Sequence, residues 1–270
     1  MIPKPFIARW SDKAPWVSFD QVEQDLIISR ILVSIFSDNF LNENLAFRGG
    51  TALHKLYLHP APRYSEDIDL VQISPGPIKP IMKRIEEVID FFEKPRNTKI
   101  SGHGAKAFYH FNSEYEDLKL RVKIEINCKE HFSVRKRVEL PLEVENGWFT
   151  GEALIKTYAL NELLGTKLRA LYQRKKGRDL FDLFYARNHE KFNAEELTSC
   201  FNSYMKFSTD SIPTRRQFEL NMEEKEKDPV FSGDMEALLR PNIQYDEKSA
   251  FHWLKNKVIS FLRRSSKDKS

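Results

Sequence analysis

Asp67 and Asp69 stand two residues apart at the head of an apolar, β-branched run from Ile68 to Ile73. That composition predicts a strand. Side chains on a strand alternate, so both carboxylates point one way while Ile68 and Leu70 point into a core. Two carboxylates on one face repel each other, and a divalent cation relieves the repulsion. Upstream, residues 45–48 read as a short strand and 51–58 as a helix, which places Gly49 and Gly50 at a strand-to-helix turn. Bare backbone N–H groups at a helix N-terminus bind phosphate. Gly50 and Thr51 open that helix, so their N–H groups face the phosphate and the Thr51 hydroxyl adds a donor. Arg63 and Ser65 precede the dyad and either touch a triphosphate or hold the loop. A phosphate cradle beside a metal-binding dyad suits the transfer of a nucleotidyl group.

Other elements must position these residues. Ser18 and Gln21 form a capping-box pattern opening a helix whose Val22, Leu26, Ile27, Val33 and Phe36 share a stripe. Residues 40–44 end it and turn into the 45–48 strand. Pro75-Gly76-Pro77 separates the acidic strand from a helix over 77–93, with Ile81, Ile85, Val88, Ile89 and Phe92 on one side. Strands over 107–112 and 118–127 form a hairpin around the polar 113–117 turn, and 132–145 holds one more strand ending near Pro141. After Asn146-Gly147-Trp148 the period becomes helical, with helices over 151–174 and 178–189 and another starting at 194. The charged run 221–229 reads as a solvated face or loop. The expected organisation is therefore α+β, with domains at 1–148 (mixed sheet and helices) and 149–270 (helical).

A third carboxylate stands out in the 118–127 strand, where Leu118, Leu120, Val122, Ile124 and Ile126 alternate with Lys119, Arg121, Lys123, Glu125 and Asn127. Such alternation marks a half-buried strand. On charge alone Glu125 is one solvent-facing group among lysines and arginines. If its face adjoins Asp67 and Asp69, it completes a metal site of the kind two-metal phosphoryl transfer uses. Further on, Lys167 falls inside the stripe of Leu160, Leu163, Leu164, Leu168 and Leu171. A lysine there either snorkels to the helix edge or carries its ammonium across the domain junction to nucleotide phosphates. Asp179 and Asp182 share one face of the next helix. Asp179 suits the helix N-terminus, and Asp182 suits a site beside Lys167.

Together these blocks resemble the polymerase-β-like nucleotidyltransferases, and more closely the AbiEii/AbiGii toxins of bacterial toxin–antitoxin and phage-defence (abortive infection) systems. The likeness runs from Gly49-Gly50-Thr51-Ala52-Leu53 through Arg63-Tyr64-Ser65-Glu66-Asp67-Ile68-Asp69 and Lys123-Ile124-Glu125-Ile126-Asn127 to Arg178-Asp179-Leu180-Phe181-Asp182-Leu183. Much of that family has one residue fewer between threonine and the aspartates, and Pro60-Ala61-Pro62 is a natural place for the extra one. The resemblance implies a polymerase-β-like core followed by a helical domain. It implies Asp67, Asp69 and Glu125 as ligands of Mg2+ or Mn2+, Gly49, Gly50, Thr51, Arg63, Ser65 and Lys167 as nucleotide contacts, and Asp182 orienting Lys167 or the nucleophile. Asp67, Asp69, Lys167 and Asp182 are then the expected catalytic set. The implied reaction moves a nucleoside monophosphate from an NTP to an acceptor hydroxyl, inhibiting growth until an antitoxin encoded nearby neutralises the protein.

Composition bounds the acceptor more loosely. A net charge of +4 permits nucleic-acid binding without demanding it. Basic clusters at Lys83-Arg84, Arg135-Lys136-Arg137, 174–178 and 255–269 suit RNA, such as a tRNA 3′ end. A small-molecule nucleotidyltransferase of the antibiotic-modifying sort would share the dyad, and a non-catalytic nucleotide- or partner-binding protein would share the scaffold. No apolar stretch approaches the ~20 residues that span a bilayer. The start, Met-Ile-Pro-Lys-Pro, has no apolar signal core. Cys128 and Cys200 have no metal spacing and read as free thiols in a reducing cytoplasm.

Overall fold

Alternating strands and one apolar helix build the first half of the chain. The computed structural model describes residues 2–92, 95, 97–115, 117–209, 211–235 and 237–263. They divide into two compact units, Met1–Tyr158 and Ala159–Ser270. The first holds α1 (Lys4–Trp10), α2 (Phe19–Ser37), α3 (Asn39–Asn44), β1 (Leu45–Arg48), α4 (Gly49–Leu56), β2 (Asp67–Gln72) and α5 (Ile78–Val88). Then come β3 (Asn97–Ser101), β4 (Gly104–Asn112), β5 (Lys119–Asn127), β6 (Val138–Glu145) and β7 (Thr150–Thr157). The strands form a seven-stranded mixed sheet in the order β3-β4-β5-β2-β1-β7-β6. Pairing is parallel for β2 with β5 and for β1 with β7, and antiparallel elsewhere.

α2 is buried nearly all round, and its Leu26, Ile27, Ile28, Ile31, Leu32 and Ile35 are fully buried. Removing such side chains from water contributes about 1.5–3 kcal/mol each, which makes α2 the spine under β5, β6 and β7. The expected stripe of Val22, Leu26, Ile27, Val33 and Phe36 is buried, but so are Glu23, Gln24 and Asp25. Asp25 is satisfied by Trp10 Nε1 at 2.9 Å and Lys55 Nζ at 3.0 Å, which docks α1 and α4 onto α2. Ser18 does precede α2, yet its side chain makes no cap hydrogen bond, so the capping box read there does not form. Asp38 caps instead, accepting from Leu41 N, and converts the expected turn at 40–44 into α3.

Further expectations about element bounds are corrected. The helix over 51–58 begins two residues earlier, at Gly49, and ends at Leu56. The helix over 77–93 stops at Val88, and its expected last residue, Glu93, lies outside the described residues. The strand expected to end near Pro141 runs through it to Glu145, because β6 is an edge strand whose outer side needs no N–H donor. The helix expected over 151–174 is two elements. Residues 150–157 are β7, held against β6 through the Asn146–Phe149 turn, where each of those residues' N–H donates to the other's carbonyl. That strand carries the first unit on to Tyr158, past the boundary expected near residue 148.

The second unit is helical: α6 (Leu160–Gln173), α7 (Gly177–Ala186), α8 (Ala194–Thr209), α9 (Arg215–Lys225), α10 (Pro229–Ser232) and α11 (Glu247–Lys257). α7 starts one residue before the expected 178 and ends before 189. The 221–229 run is not simply solvated. Its first part lies in α9, and Lys225 is buried, donating to the Leu171 carbonyl, to Tyr172 O at 3.0 Å and to Asn221 Oδ1 at 2.6 Å. A cation on the last carbonyls of α6 satisfies acceptors that no further helical turn would meet. Burial pulls the Lys225 pKa down to about 8. Among the described residues, no helix is long and apolar enough to cross a membrane. Cys128 is half-buried and Cys200 is buried, and no disulfide joins them.

Candidate active site

Strand register assembles the charged residues of the first unit. On β2, Ile68 and Leu70 are buried while Asp67 and Asp69 face the other way, as period two requires. Each is half-exposed as a whole residue, but the Asp69 carboxyl itself is tucked against the Gly49 turn. β1 places Arg48 opposite Asp69, and β5 places Glu125 opposite Asp69 and Lys123 opposite Asp67. β4 then places Lys106 opposite Glu125. A single row across four strands therefore reads Arg48, Asp69, Glu125, Lys106. Lys123 Nζ lies 3.0 Å from Asp67 Oδ2 and 3.2 Å from Glu125 Oε2, and Lys106 Nζ lies 2.9 Å from Glu125 Oε1. Arg48 is ion-paired with Glu130.

The glycine turn sits against the dyad. Gly49 has φ +86°, a left-handed conformation that side chains with a Cβ rarely adopt. A Cβ at Gly49 would lie 2.3 Å from Asp69 Oδ2. Glycine is required there on both counts, and the close approach brings the start of α4 onto the carboxylate. Thr51 is buried, and its hydroxyl donates to the Asp67 carbonyl at 2.5 Å, with Ser65 Oγ 2.9 Å away. A hydroxyl has one proton, so the Thr51 side chain fixes the start of β2 and is not a free phosphate donor. Arg63 is buried as well and donates from Nη1 to Tyr64 O at 2.8 Å. Thr51, Ser65 and Arg63 thus brace the loop that presents Asp67.

Charge balance in this row is uneven. Burial, and then the charges of Asp67 and Glu125, hold the Asp69 carboxyl above its ordinary pKa of 3.8. Burial opposes the Lys123 charge, but Asp67, Asp69 and Glu125 outweigh it and raise that ammonium above 10.5. Burial likewise opposes the Glu125 charge, and Lys106 and Lys123 outweigh it and lower that carboxyl. Among the described residues, no group of three or more His, Cys, Asp or Glu side chains is gathered as a ready metal cluster. The Lys123 ammonium instead bridges Asp67 and Glu125, supplying positive charge where the carboxylates crowd. The carboxylate oxygens are the donor type a hard divalent cation takes, and such a cation would compete with the Lys123 ammonium for Asp67 and Glu125.

A cleft of about 670 Å3 opens beside this row, lined by Asp69, Glu125, Arg48, Lys99, His103 and Lys106 among others. Sequence reasoning gave Arg48, Lys99 and Lys106 no place in a site. The signal for Lys106 was the alternation of β4. β3 carried none, since Asn97-Thr98-Lys99-Ile100-Ser101 is exposed throughout and bounded by Pro95.

In the helical unit, α6 and α7 bring together three of the remaining residues. Lys167 Nζ lies 2.8 Å from Asp182 Oδ2 and 3.2 Å from Asp179 Oδ1, with both carboxylates fully buried. Arg174 Nε adds a bond to Asp179 Oδ2 at 2.7 Å. The lysine therefore neither snorkels to the helix edge nor lacks a partner. Both carboxylates pair with it, and Asp179 also stands in the first turn of α7, the helix N-terminus expected for it, although no side chain caps that helix. Burial opposes ionisation of Asp179, but Lys167 and Arg174 outweigh it and hold its pKa below 3.8.

These contacts tie Lys167 to the stability of the helical unit. Lys167→Met leaves two carboxylates buried with one cation fewer, and should cost on the order of 3 kcal/mol. Chemical denaturation of Lys167→Met, and of Lys167→Met/Asp182→Asn, checks this, the second change recovering part of the loss. Because folding depresses the Asp179 pKa, its contribution is present in full above the ordinary carboxylate range. It is lost as pH falls through the depressed value. Asp179→Asn should accordingly flatten the acid limb of the stability–pH curve.

The basic segment 174–178 is largely neutralised within its own unit. Lys175 pairs with Asp228 at 3.1 Å, and Asp234 takes Lys176 at 3.2 Å and Arg178 at 3.9 Å. Of the other clusters, Arg84 pairs with Asp38 and Glu87, while Arg137 donates to His131 O. The part of the 255–269 tail beyond Arg263 lies outside the described residues.

A mixed sheet with paired carboxylates on one strand, beside a glycine turn into a helix, defines a nucleotidyltransferase. A family model described as nucleotidyl transferase AbiEii toxin, type IV toxin–antitoxin system, matches residues 30–257. The chain belongs to that family. Among solved structures it is similar to MenT4, a nucleotidyltransferase toxin from Mycobacterium tuberculosis, at 16% identity and TM-score 0.67, covering 100% of this chain and 92% of that one. It is also similar to JHP933 from Helicobacter pylori, at 16% identity and TM-score 0.58, covering 88% and 90%. At such identities the likeness carries the fold alone. None of the curated proteins matches the sequence.

Proposed function

We propose that this nucleotidyltransferase toxin moves a nucleoside monophosphate from an NTP to a hydroxyl of RNA, with tRNA 3′ ends the leading acceptor, and is restrained by an antitoxin encoded nearby. One observation carries the reading: Asp67 and Asp69 share a face, with Glu125 in register beside them, against the Gly49 turn. Asp67, Asp69 and Glu125 would hold Mg2+ or Mn2+, which supplies neutralisation of the triphosphate charge. The start of α4 directs backbone N–H groups of Gly49, Gly50 and Thr51 at phosphate. Thr51, Ser65 and Arg63 keep Asp67 in place. The acceptor oxygen forms its bond to the α-phosphorus as the bond from that phosphorus to the bridging oxygen breaks, and pyrophosphate leaves with the electron pair. The hydroxyl proton passes to a carboxylate of the site. In the helical unit, Asp182 and Asp179 fix the Lys167 ammonium as a point charge for phosphate.

The test is incubation of the protein with each α-labelled NTP, Mg2+ and total cellular RNA. Label should enter a small RNA with one NTP preferred. Label that enters a small molecule or a protein, and never RNA, would contradict the acceptor while leaving the chemistry in place.

A further inference from the structure

The outward face of β3, β4 and β5 carries Lys99, Lys106, Lys119, Arg121 and Lys123, against Glu125 as the sole carboxylate within those strands. The alternate residues Ala105, Ala107, Tyr109, Leu120, Val122, Ile124 and Ile126 are buried, which fixes the direction in which the charges point. Lys99 and Lys106 stand directly opposite each other, and like charges in that relation destabilise a sheet. Lys119, Arg121 and Lys123 follow at every second position of β5, and Lys99, Lys106, Lys119 and Arg121 are exposed. Glu125 and Asp67 partly neutralise Lys106 and Lys123, and a polyanion along the face would relieve the repulsion that is left among the cations.

Phe108 sits in the middle of this face, half-exposed, with the Arg121 guanidinium 5.3 Å from its ring centroid. It is opposite Lys123, which in turn is opposite Asp67. The aromatic ring is therefore two strands from the dyad, and the cations continue outward from it. With about 3.3 Å per residue, Lys119 lies roughly 13 Å along the strand from Lys123, the reach of about two nucleotides.

We propose that this face binds the single-stranded 3′ end of the RNA acceptor. A base stacks on Phe108 and Arg121, the phosphates run along Lys119, Arg121 and the Lys99–Lys106 pair, and the terminal hydroxyl is delivered to Asp67, Asp69 and Glu125. The inference rests on the transferase reading above and gives its acceptor a location. A ring interleaved with cations on an open sheet is how sequence-tolerant single-strand binders hold bases and backbone together. Duplex RNA would offer phosphates but no free base face to Phe108. An acidic protein would satisfy the cations without using a ring in line with the dyad.

The test uses the full-length protein and a short, mixed-sequence, 5′-fluorescein single-stranded RNA with a free 3′ hydroxyl. Anisotropy is read across about 50–200 mM salt, with duplex RNA of the same length as comparison. Lys119→Glu/Arg121→Glu should weaken single-strand binding at least about tenfold and lower the log–log salt slope by roughly 1.4, the loss of two phosphate contacts. Phe108→Ala should weaken it about tenfold, within the range for one stacked base, with the salt slope unchanged. Melting temperatures should match wild type, because these side chains are exposed or half-exposed.

Wild-type binding that is undiminished in both variants overturns the proposal, as does equal affinity for the duplex, or binding of an acidic peptide but not RNA. The transferase reading fails separately. If the variants lose RNA while the wild type transfers no label from any NTP, the face is an RNA site and the chemistry is wrong. If label transfers but the variants bind RNA normally, the chemistry stands and the location is wrong.

Discussion

Asp69→Asn should lower nucleotide transfer on the order of 10³-fold, the scale seen when a principal electrostatic group is removed from a reacting centre. The change keeps the shape of the side chain, so packing against Gly49 persists and the effect is one of charge. Asp67→Asn should behave likewise. Stability should move the other way for Asp69. Its carboxyl is held above its ordinary pKa, chiefly by burial and next by Asp67, so the ionised form costs free energy at neutral pH. The amide removes that cost, and the variant should melt at or slightly above the wild-type temperature in the absence of divalent cations. Transfer assays paired with thermal melts check both halves. Full activity at an unchanged melting temperature would remove Asp69 from the site, and lost activity with a sharply lowered melting temperature would make it a structural residue.

Gly49→Val should be nearly as damaging, for a different reason. The backbone at φ +86° costs a residue with a Cβ about 1–2 kcal/mol. The added atom also falls 2.3 Å from Asp69 Oδ2, so either the turn or the carboxylate must move. Displacing a reacting group by about an ångström is worth on the order of 10²-fold in rate. Both transfer and stability should therefore drop, unlike the Asp69 case, where only transfer does. Gly76→Ala is the control, since its nearest neighbour, Gln72 Nε2, lies 3.6 Å from the added atom, an ordinary contact. Its transfer rate should match wild type, and equal behaviour of the two glycine variants would contradict the turn's role.

Much of this site was legible before any coordinates. The Asp67–Asp69 spacing and the strict alternation of 118–127 are period-two signals, and such signals survive folding because register magnifies them. A one-residue slip would bury a charge. The glycine pair announced a turn, although not that its missing Cβ makes room for Asp69. Other features were hidden because they depend on partners distant in sequence. β7 looked helical because Leu154 and Ile155 run on towards the leucines of α6, and only pairing with β6 and β1 reveals the strand. β3 is exposed along its whole length and had no hydrophobic pattern to read. Lys167 was visible as an anomaly in an apolar row, but its ion pairs with Asp179 and Asp182 require α7 to pack alongside α6. Lys225 was hidden in a charged run that composition alone assigns to solvent.

The most direct test of the account compares two labels in one reaction. Wild-type protein and Asp69→Asn are each incubated with NTP labelled at the α- or the γ-phosphorus, together with total RNA and Mg2+, and label is followed in RNA and in pyrophosphate. The α-label should become covalently attached to RNA and the γ-label should appear as pyrophosphate in equal amount, with both events lost in Asp69→Asn. Attachment of the γ-label, or equal transfer by wild type and Asp69→Asn, would contradict nucleotidyl transfer at this site.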